Sequence, residues 1–239
     1  MLKFCGIKFT VLNKKELLKE KTNGIKCINP INAQLIVMAN TNERFMKYLN
    51  SGCNCFDGEV PLKVAKIRSK DFSRVEKLSG SGIVYDFAEY AKKKRYKMFF
   101  LGGAQDSNKK AVEKIRERYG IDVAGYSPDF ESYPFSQRFI DNCNSEIESF
   151  KPEIIFIGFG APKQEYYIEE NREWLESIGV KFVVASGGTI DFVSGKVKRA
   201  PDWVQKAGLE GIYRLFQETN MMRLKRLIYS VRFIRYVKD

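Results

Sequence analysis

Short apolar runs alternate along this chain with longer segments in which apolar residues recur every three or four positions. The short runs predict buried β-strands at residues 97–101, 121–126, 154–157 and 181–185. The longer segments predict helices at residues 107–119, 137–150 and about 163–177. Glycines follow the first, third and fourth of these strands. Strand, glycine and helix repeated in this order are typical of right-handed βαβ units that form a parallel sheet.

The two ends of the chain extend this pattern. The N-terminal third adds a predicted strand at 35–40, a helix at 41–49 and a short strand that ends at Phe56. Beyond Trp203 the glycine loops stop, and the remaining residues are basic and typical of helices. We therefore predict an α/β, Rossmann-like fold in residues 1–202, with a mostly parallel sheet and helices on both faces. A basic helical appendage is predicted in residues 203–239.

Composition is that of a soluble globular protein. Of the 239 residues, 44% are hydrophobic and 29% are charged, which excludes general disorder, collagen and a small disulfide scaffold. No apolar run approaches the ~20 residues that cross a bilayer. The N-terminal segment is too short and too interrupted by charge for a signal peptide. We expect a cytoplasmic protein.

The absence of histidine restricts the chemistry. It excludes histidine nucleophile dyads and triads, a histidine general base and histidine metal sites, so acid–base work falls to carboxylates, Lys, Tyr or Cys. The five cysteines are an odd count without a secretion signal, which indicates reduced thiols. Cys53 and Cys55 lack a second ligand pair, so we expect no metal. A net charge of +12 favours a polyanionic partner such as nucleic acid, anionic lipid or a phosphorylated substrate.

Three glycine loops are candidates for phosphate binding. They contain Gly102 and Gly103, then Gly158 and Gly160, then Gly187 and Gly188. Ligands of parallel sheets bind beyond the carboxyl ends of the strands, where glycine lets the backbone approach a diphosphate. None of these loops is G-x-G-x-x-G or a P-loop, and each alone is also explained as a tight turn. Three together in a basic protein favour a nucleotide-like ligand.

Polar side chains accompany these loops. Lys163, Gln164 and Glu165 follow Gly160, where Gln164 can donate and accept hydrogen bonds and Glu165 can accept from sugar hydroxyls. Asp191 follows the third loop, although an aspartate there is also explained as a helix cap. Asp57 precedes Gly58 at a strand end. It is explained either as a turn former or, in a chain without histidine, as a candidate base.

Several of these motifs occur together in one known family. They are Asp57-Gly58, Leu101-Gly102-Gly103, Gly158-Phe159-Gly160-Ala161-Pro162-Lys163-Gln164-Glu165, Gly187-Gly188-Thr189-Ile190-Asp191, Gly195, Arg199-Ala200-Pro201-Asp202-Trp203 and Glu210…Tyr213-Arg214-Leu215. Their order and spacing resemble the WecG/TagA/CpsF family of glycosyltransferases, over about residues 4–234.

The resemblance implies an activity. It implies a hexosyltransferase that moves a sugar from a UDP-sugar to an undecaprenyl-diphosphate-linked saccharide, on the cytoplasmic face of the membrane. The reaction inverts the anomeric centre, and we expect it to need no metal or other cofactor. The resemblance favours N-acetylmannosamine as the sugar, and it implies wall teichoic acid, capsule or exopolysaccharide synthesis as the pathway.

The resemblance also implies roles for individual residues. Asp57 matches the proposed catalytic base, and Asn40, Gln164 and Asp191 match substrate-pocket residues. The remaining substrate-binding candidates are Gly102, Gly103, Gly160, Lys163, Glu165, Gly187, Gly188, Arg199, Arg214, Arg223, Lys225 and Arg226. Met38, Lys77 and Gly82 depart from the family pattern. The departures leave the donor sugar, the acceptor saccharide and the pathway open.

The C-terminal segment has its own pattern. Leu224, Leu227, Ile228, Val231 and Ile234 fall on one face of a helix, among six basic residues. Such a helix suits an anionic membrane surface, and it is also explained as a helix packed on its own domain. In the family this appendage docks on the bilayer and supplies arginines to the active site. We expect a peripheral protein on the inner face of the membrane.

The glycine loops and the positive charge also suggest two other functions. A nicotinamide-dependent oxidoreductase on a doubly wound sheet needs G-x-G-x-x-G and an acidic residue ~20 positions later, and neither occurs in that context. A nucleic-acid-binding module would account for the net charge, but the basic residues concentrate in the C-terminal segment and no recognition motif is present. We therefore expect no nucleic-acid partner, and the glycosyltransferase is favoured over both.

Overall fold

The computed structural model describes the backbone of residues 1–217 and 221–237. Within these ranges it describes every side chain except those of Asp202, Lys206, Arg214, Gln217, Met221, Met222 and Arg223.

The strands are β1 Leu2–Phe4, β2 Ile7–Phe9, β3 Lys26–Ile31, β4 Cys53–Phe56, β5 Met98–Gly102, β6 Val123–Tyr126, β7 Ile154–Gly158 and β8 Phe182–Ala185. The helices before β5 are α1 Lys14–Leu17, α2 Ala33–Thr41, α3 Glu43–Ser51, α4 Glu59–Arg68 and α5 Gly80–Lys94. Those after β5 are α6 Gln105–Tyr119, α7 Gln137–Phe150, α8 Lys163–Glu170, α9 Arg172–Ser177, α10 Thr189–Ser194, α11 Asp202–Ala207, α12 Glu210–Gln217 and α13 Met221–Val231. Short 3-10 helices span Lys70–Phe72 and Arg232–Tyr236.

Six strands form one sheet in the order β4-β3-β8-β7-β5-β6. The pairs β3–β8, β8–β7, β7–β5 and β5–β6 are parallel. Helices flank the sheet, which confirms the predicted α/β class. The chain leaves β5 for β6 on one side and leaves β7 for β8 on the other, so β5 and β7 border a switch point of the topology. Gly102 and Gly158 pair in register at the carboxyl ends of these two strands.

The chain divides into two compact units. The first contains residues 1–17, 29–79 and 198–239, and the second contains residues 18–28 and 80–197. Strand β3 contributes to both, because its first three residues pair with β8 in the second unit. The predicted division at residue 202 stays a prediction.

Each unit has an aromatic core. In the first unit, the β1–β2 hairpin packs on β4, where the rings of Phe9 and Phe56 stack with centroids 3.9 Å apart. In the second unit, Phe87 of α5 contacts Phe156 of β7 and Phe182 of β8 in edge-to-face geometry. Buried apolar surface of this kind contributes most of the folding free energy of a domain. The cores therefore fix the positions of the strand ends.

The prediction of a strand at residues 35–40 is wrong, because this segment lies inside helix α2. The side chain of Asn32 accepts the backbone N–H of Leu35 at 3.1 Å and begins the helix. A short, nearly continuous apolar run does not distinguish a buried strand from a buried helix. The first strand of the six-stranded sheet along the chain is β3, where Lys26, Asn29 and Pro30 interrupt the apolar pattern although every position is buried.

The other predicted elements are confirmed, with two breaks. The predicted helix at 41–49 starts at the last residue of α2 and continues as α3 after the cap at Asn42. The four later strands lie within one or two residues of their predicted bounds, and α7 covers the predicted range. The predicted helix at 163–177 consists of α8 and α9, which meet at Asn171. The amide of Asn171 is buried and donates to Tyr167 O at 2.9 Å. A side chain that bonds to the backbone in this way competes with helix continuation.

Candidate active site

Three glycine loops of the second unit approach one another closely. A Cβ on Gly158 would lie 2.9 Å from Gly187 O and 3.0 Å from Ile190 Cδ1. Gly103, with φ +72°, would bring a Cβ within 3.1 Å of Ile190 Cγ2. Glycine at these positions therefore lets the loops after β5, β7 and β8 pack backbone against backbone. The predicted loop residues Gly102, Gly103, Gly160, Gly187 and Gly188 all belong to this cluster of loops, which we call the glycine cluster.

Gln164 joins two loops of the glycine cluster. Its side-chain oxygen Oε1 accepts the backbone N–H of Gly160 and the backbone N–H of Gly187, each at 3.1 Å. Its amide nitrogen Nε2 donates to Glu165 Oε1 at 3.0 Å. Only 3% of the residue is exposed. Gln164 is therefore a bridge between the loops after β7 and β8 as well as a candidate substrate residue.

Glu165 is the most deeply buried carboxyl group of the cluster. No part of it is exposed, and its Oε2 has no hydrogen-bond partner within the residues described. Burial raises the pKa of this carboxyl group to about 7, against the weaker opposing effect of the hydrogen bond from Gln164. The carboxyl group of Glu165 therefore changes between its protonated and its ionised form near neutral pH.

Asp191 and Lys163 occupy different surroundings. Asp191 is half-buried in the first turn of α10, where Gly188 holds the N-cap position, and its Oδ1 has no partner among the described residues. Lys163 at the start of α8 donates from Nζ to Glu131 O at 2.8 Å and lies 4.2 Å from the centre of the exposed Phe130 ring. Burial lowers the pKa of Lys163. Its ammonium group is thus held by the loop that follows β6.

Asp57 lies at the carboxyl end of β4 in the first unit. It is half-buried, and its backbone N–H donates to Ile31 O at the end of β3, at 2.9 Å. A parallel bridge between Phe56 and Lys77 places Lys77 beside this strand end. Lys77 Nζ lies 3.6 Å from Oε2 of Glu59, the first residue of helix α4. The sequence analysis identifies Lys77 only as a departure from the family pattern and does not predict its position beside the end of β4.

Arg199 belongs to the same unit. Its guanidinium Nη2 donates to Ser79 Oγ at 3.0 Å, two residues beyond Lys77, and the residue is exposed. Lys77 lies on the segment that pairs with the end of β4, and Arg199 bonds to the same segment at Ser79. Basic side chains of this kind suit a substrate that carries phosphate.

Asn40 has a structural role. Its amide nitrogen donates to Cys5 O and to Ile36 O, both at 2.9 Å, and so ties α2 to the turn between β1 and β2. Asn40 lies near the end of α2, ~12 Å along the helix axis from Asn32. A substrate role for Asn40 stays a prediction.

The appendage candidates are described only in part. Lys225 and Arg226 are exposed on α13. The side chains of Arg214 and Arg223 lie outside the described residues. All five cysteines are free thiols, and burial raises the pKa of the Cys5 and Cys143 thiols to about 12. Over 1–217 and 221–237 no three His, Cys, Asp or Glu side chains gather as a metal site would require.

The burial of Glu165 predicts a pH dependence of stability. Its pKa is higher in the folded chain than the ordinary value of about 4.5, so between these values the folded state binds more protons than the unfolded state. The free energy of unfolding therefore falls as pH rises through this window. Relative to Glu165→Gln, we expect the wild type to lose about 2 to 3 kcal/mol between pH 5 and pH 8.

Denaturant titrations of both proteins at pH 5, 6, 7 and 8 measure this difference. Glu165→Gln has no titrating group at the position and serves as the reference for every other ionisation in the chain. A difference between the two proteins that stays constant with pH would contradict the burial of an ionisable carboxyl group.

The sequence of this chain is similar to those of known proteins. Residues 2–238 match the model of the glycosyl transferase WecG/TagA/CpsF family. A protein of Bacillus spizizenii is 29% identical over 182 residues, which is 76% of this chain and 66% of the relative. A protein of Bacillus subtilis is 32% identical over 156 residues, 64% of this chain and 56% of the relative. A protein of Staphylococcus aureus is 27% identical over 213 residues, 87% of this chain and 78% of the relative.

All three relatives are named N-acetylglucosaminyldiphosphoundecaprenol N-acetyl-beta-D-mannosaminyltransferase. The aligned part of this chain spans less than two thirds of the length of the two Bacillus relatives. The family match, in contrast, extends over almost every residue of this chain. The chain therefore belongs to the WecG/TagA/CpsF family of glycosyl transferases.

Proposed function

We propose that this chain is an inverting hexosyltransferase that moves a sugar from a UDP-sugar to an undecaprenyl-diphosphate-linked saccharide. The match of nearly the whole chain to a glycosyl transferase family is the observation that carries the proposal. The names of the relatives support an N-acetylglucosamine-bearing lipid acceptor and an N-acetylmannosamine-type donor sugar. The product would serve the synthesis of wall teichoic acid or of a capsule or exopolysaccharide.

Asp57 is the proposed general base. In an inverting displacement, an acceptor hydroxyl oxygen attacks the anomeric carbon while the bond from that carbon to the UDP oxygen breaks. The hydroxyl proton must go to a base as the attack proceeds, and a carboxylate at a strand end can take it. Asp57 is half-buried, and the hydrogen bonds of its backbone hold the strand end in place. A chain with no histidine leaves this task to such a group.

The UDP leaving group needs compensation of its negative charge. We assign the diphosphate to the glycine cluster, because glycine loops after parallel strands present backbone N–H groups to phosphate. The first unit carries its own basic candidates for contact with substrate phosphate groups, namely Lys77, Arg199, Arg214, Arg223, Lys225 and Arg226. This assignment needs no metal.

The alternatives lack comparable support. The family match does not favour a nicotinamide-dependent oxidoreductase or a nucleic-acid-binding module. The positive charge is instead explained by substrates that carry diphosphate and by an anionic membrane.

A membrane surface is the proposed location of the acceptor. Helix α13 contacts α2, Tyr229 Oη lies 3.4 Å from Thr41 Oγ1, and Phe233 is buried. The rest of the apolar stripe is not covered by this packing, since the side chains of Ile228, Val231 and Ile234 are 57–60% exposed. Among the described residues no helix is both long enough and apolar enough to cross a bilayer.

We call the exposed apolar residues of this stripe, together with the exposed basic residues around them, the docking face. Its members are Leu224, Lys225, Arg226, Ile228, Val231, Arg232, Ile234 and Arg235, all exposed. Apolar side chains flanked by bases favour insertion into the headgroup region of an anionic bilayer. We therefore propose that the protein binds peripherally to the inner face of the cell membrane through this face.

Asp57→Asn tests the base. The amide keeps the shape of the side chain and cannot take a proton, so we expect turnover to fall by ~10²–10⁴-fold. The dissociation constant for the UDP-sugar should change little. UDP release with a lipid-linked acceptor measures turnover, and calorimetry measures binding. Asp71→Asn, an exposed aspartate of the same unit, is the control and should keep full activity. Nearly full activity of Asp57→Asn would remove Asp57 from the role.

Vesicle sedimentation tests the docking face. Replacing Lys225, Arg226 and Arg232 by Gln should weaken binding to anionic vesicles about 100-fold at low salt, because each base contributes about 1 kcal/mol. Replacing Leu224, Ile228 and Val231 by Ser should weaken it about tenfold or more through lost apolar contact.

Ile67→Ser provides the matched control. Ile67 is 83% exposed on α4, outside the appendage, and its replacement should leave vesicle binding unchanged. Equal binding of all four proteins to anionic vesicles would show that the docking face is not the membrane contact.

A further inference from the structure

We propose that Glu165 is a positioning residue that fixes the orientation of the Gln164 amide and thereby sets the separation of the two glycine loops that receive the UDP diphosphate. The inference rests on the proposed function for the identity of the ligand. It goes beyond that function in assigning to Glu165 a role through Gln164 and not through contact with the sugar.

Convergence of two backbone donors on one oxygen is the first step. The N–H groups of Gly160 and Gly187 come from loops that follow different strands, yet both reach Gln164 Oε1 at 3.1 Å. Ser186 reinforces the same junction, since its backbone N–H and its hydroxyl both donate to Ile157 O, at 2.9 and 3.0 Å. The side-chain oxygen of Gln164 therefore determines how far apart the two loops lie.

Orientation of the amide is the second step. A glutamine side chain can present either its oxygen or its NH2 group to a given neighbour, because the two ends have nearly the same shape. The reversed orientation would point NH2 at two N–H donors and its oxygen at a carboxyl oxygen. Glu165 Oε1, at 3.0 Å from Nε2, accepts only from the NH2 end. Glu165 thus selects the orientation that gathers both loops.

The cost of burying Glu165 is the third step. Its side chain is fully buried, and Oε2 has no partner within the described part of the chain. Burial of a carboxyl group with an unpartnered oxygen lowers stability, and an apolar side chain of similar size would avoid that penalty. Stability alone therefore does not account for glutamate at this position. Control of the neighbouring amide does.

Three variants separate this role from simple packing. Glu165→Leu removes the acceptor and keeps most of the volume. Glu165→Gln keeps an oxygen that can accept from Gln164 Nε2. Tyr167→Phe is the matched control, since it removes a buried hydrogen bond to Asn144 Oδ1 from the same helix without touching the bridge.

Amide hydrogen exchange tests the inference without any ligand. In the wild type and in Tyr167→Phe, the N–H groups of Gly160 and Gly187 should be protected from exchange. In Glu165→Leu we expect the protection of both to fall at least tenfold, and in Glu165→Gln most of it should return. Unchanged protection in Glu165→Leu would overturn the inference, whatever the protein binds.

UDP affinity, measured by calorimetry on the full chain, tests the consequence. We expect Glu165→Leu to weaken UDP binding about tenfold and Tyr167→Phe to leave it unchanged. Gln164→Ala combined with Glu165→Leu should be no worse than Gln164→Ala alone, because Glu165 acts through Gln164. Additive losses would overturn the inference. A wild type that binds no UDP while exchange follows the predicted order would reject the proposed donor and retain the positioning role.

Discussion

One shared hydrogen-bond acceptor determines the geometry of the glycine cluster. Gln164 Oε1 holds the N–H groups of Gly160 and Gly187 together, and the position of each loop follows from a strand that ends beside it. The strands themselves are aligned by the register of Gly102 with Gly158 at the switch point of the sheet. Glycine is needed there because any side chain would meet backbone at about 3 Å. The cluster thus depends on a polar bridge built over a close backbone contact.

Because the chain has no histidine, carboxyl groups are the main candidates for acid–base chemistry. Burial raises the pKa of Glu165, whereas Asp57 lies half-buried after a strand whose neighbouring segment carries Lys77 and bonds to Arg199. The two residues therefore have different proposed tasks. Asp57 is the proposed base, and the fully buried Glu165 is the proposed positioning residue.

Sequence reasoning predicted the later strands because β5, β7 and β8 are continuous apolar runs that end in glycine. The prediction of a strand at residues 35–40 was wrong because the helix cap at Asn32 was not considered. Strand β3 was not predicted because the polar residues Lys26 and Asn29 interrupt its apolar pattern, although both are buried. It found Gln164 and Glu165 from their place after a glycine loop. It did not find that both are buried and joined, because burial depends on tertiary packing that spacing along the chain does not encode. Lys77 and Ser79 were missed for the same reason.

Transfer of a sugar from a UDP-sugar releases UDP, so the rate of UDP release measures the proposed reaction. The full chain is incubated with a panel of UDP-sugars and a short-chain polyprenyl-diphosphate N-acetylglucosamine, and UDP is measured over time. We expect rapid release with one N-acetylhexosamine donor, UDP-N-acetylmannosamine first among them, and only when the lipid acceptor is present. Release at the rate of uncatalysed hydrolysis with every donor, or equal release without acceptor, would contradict it.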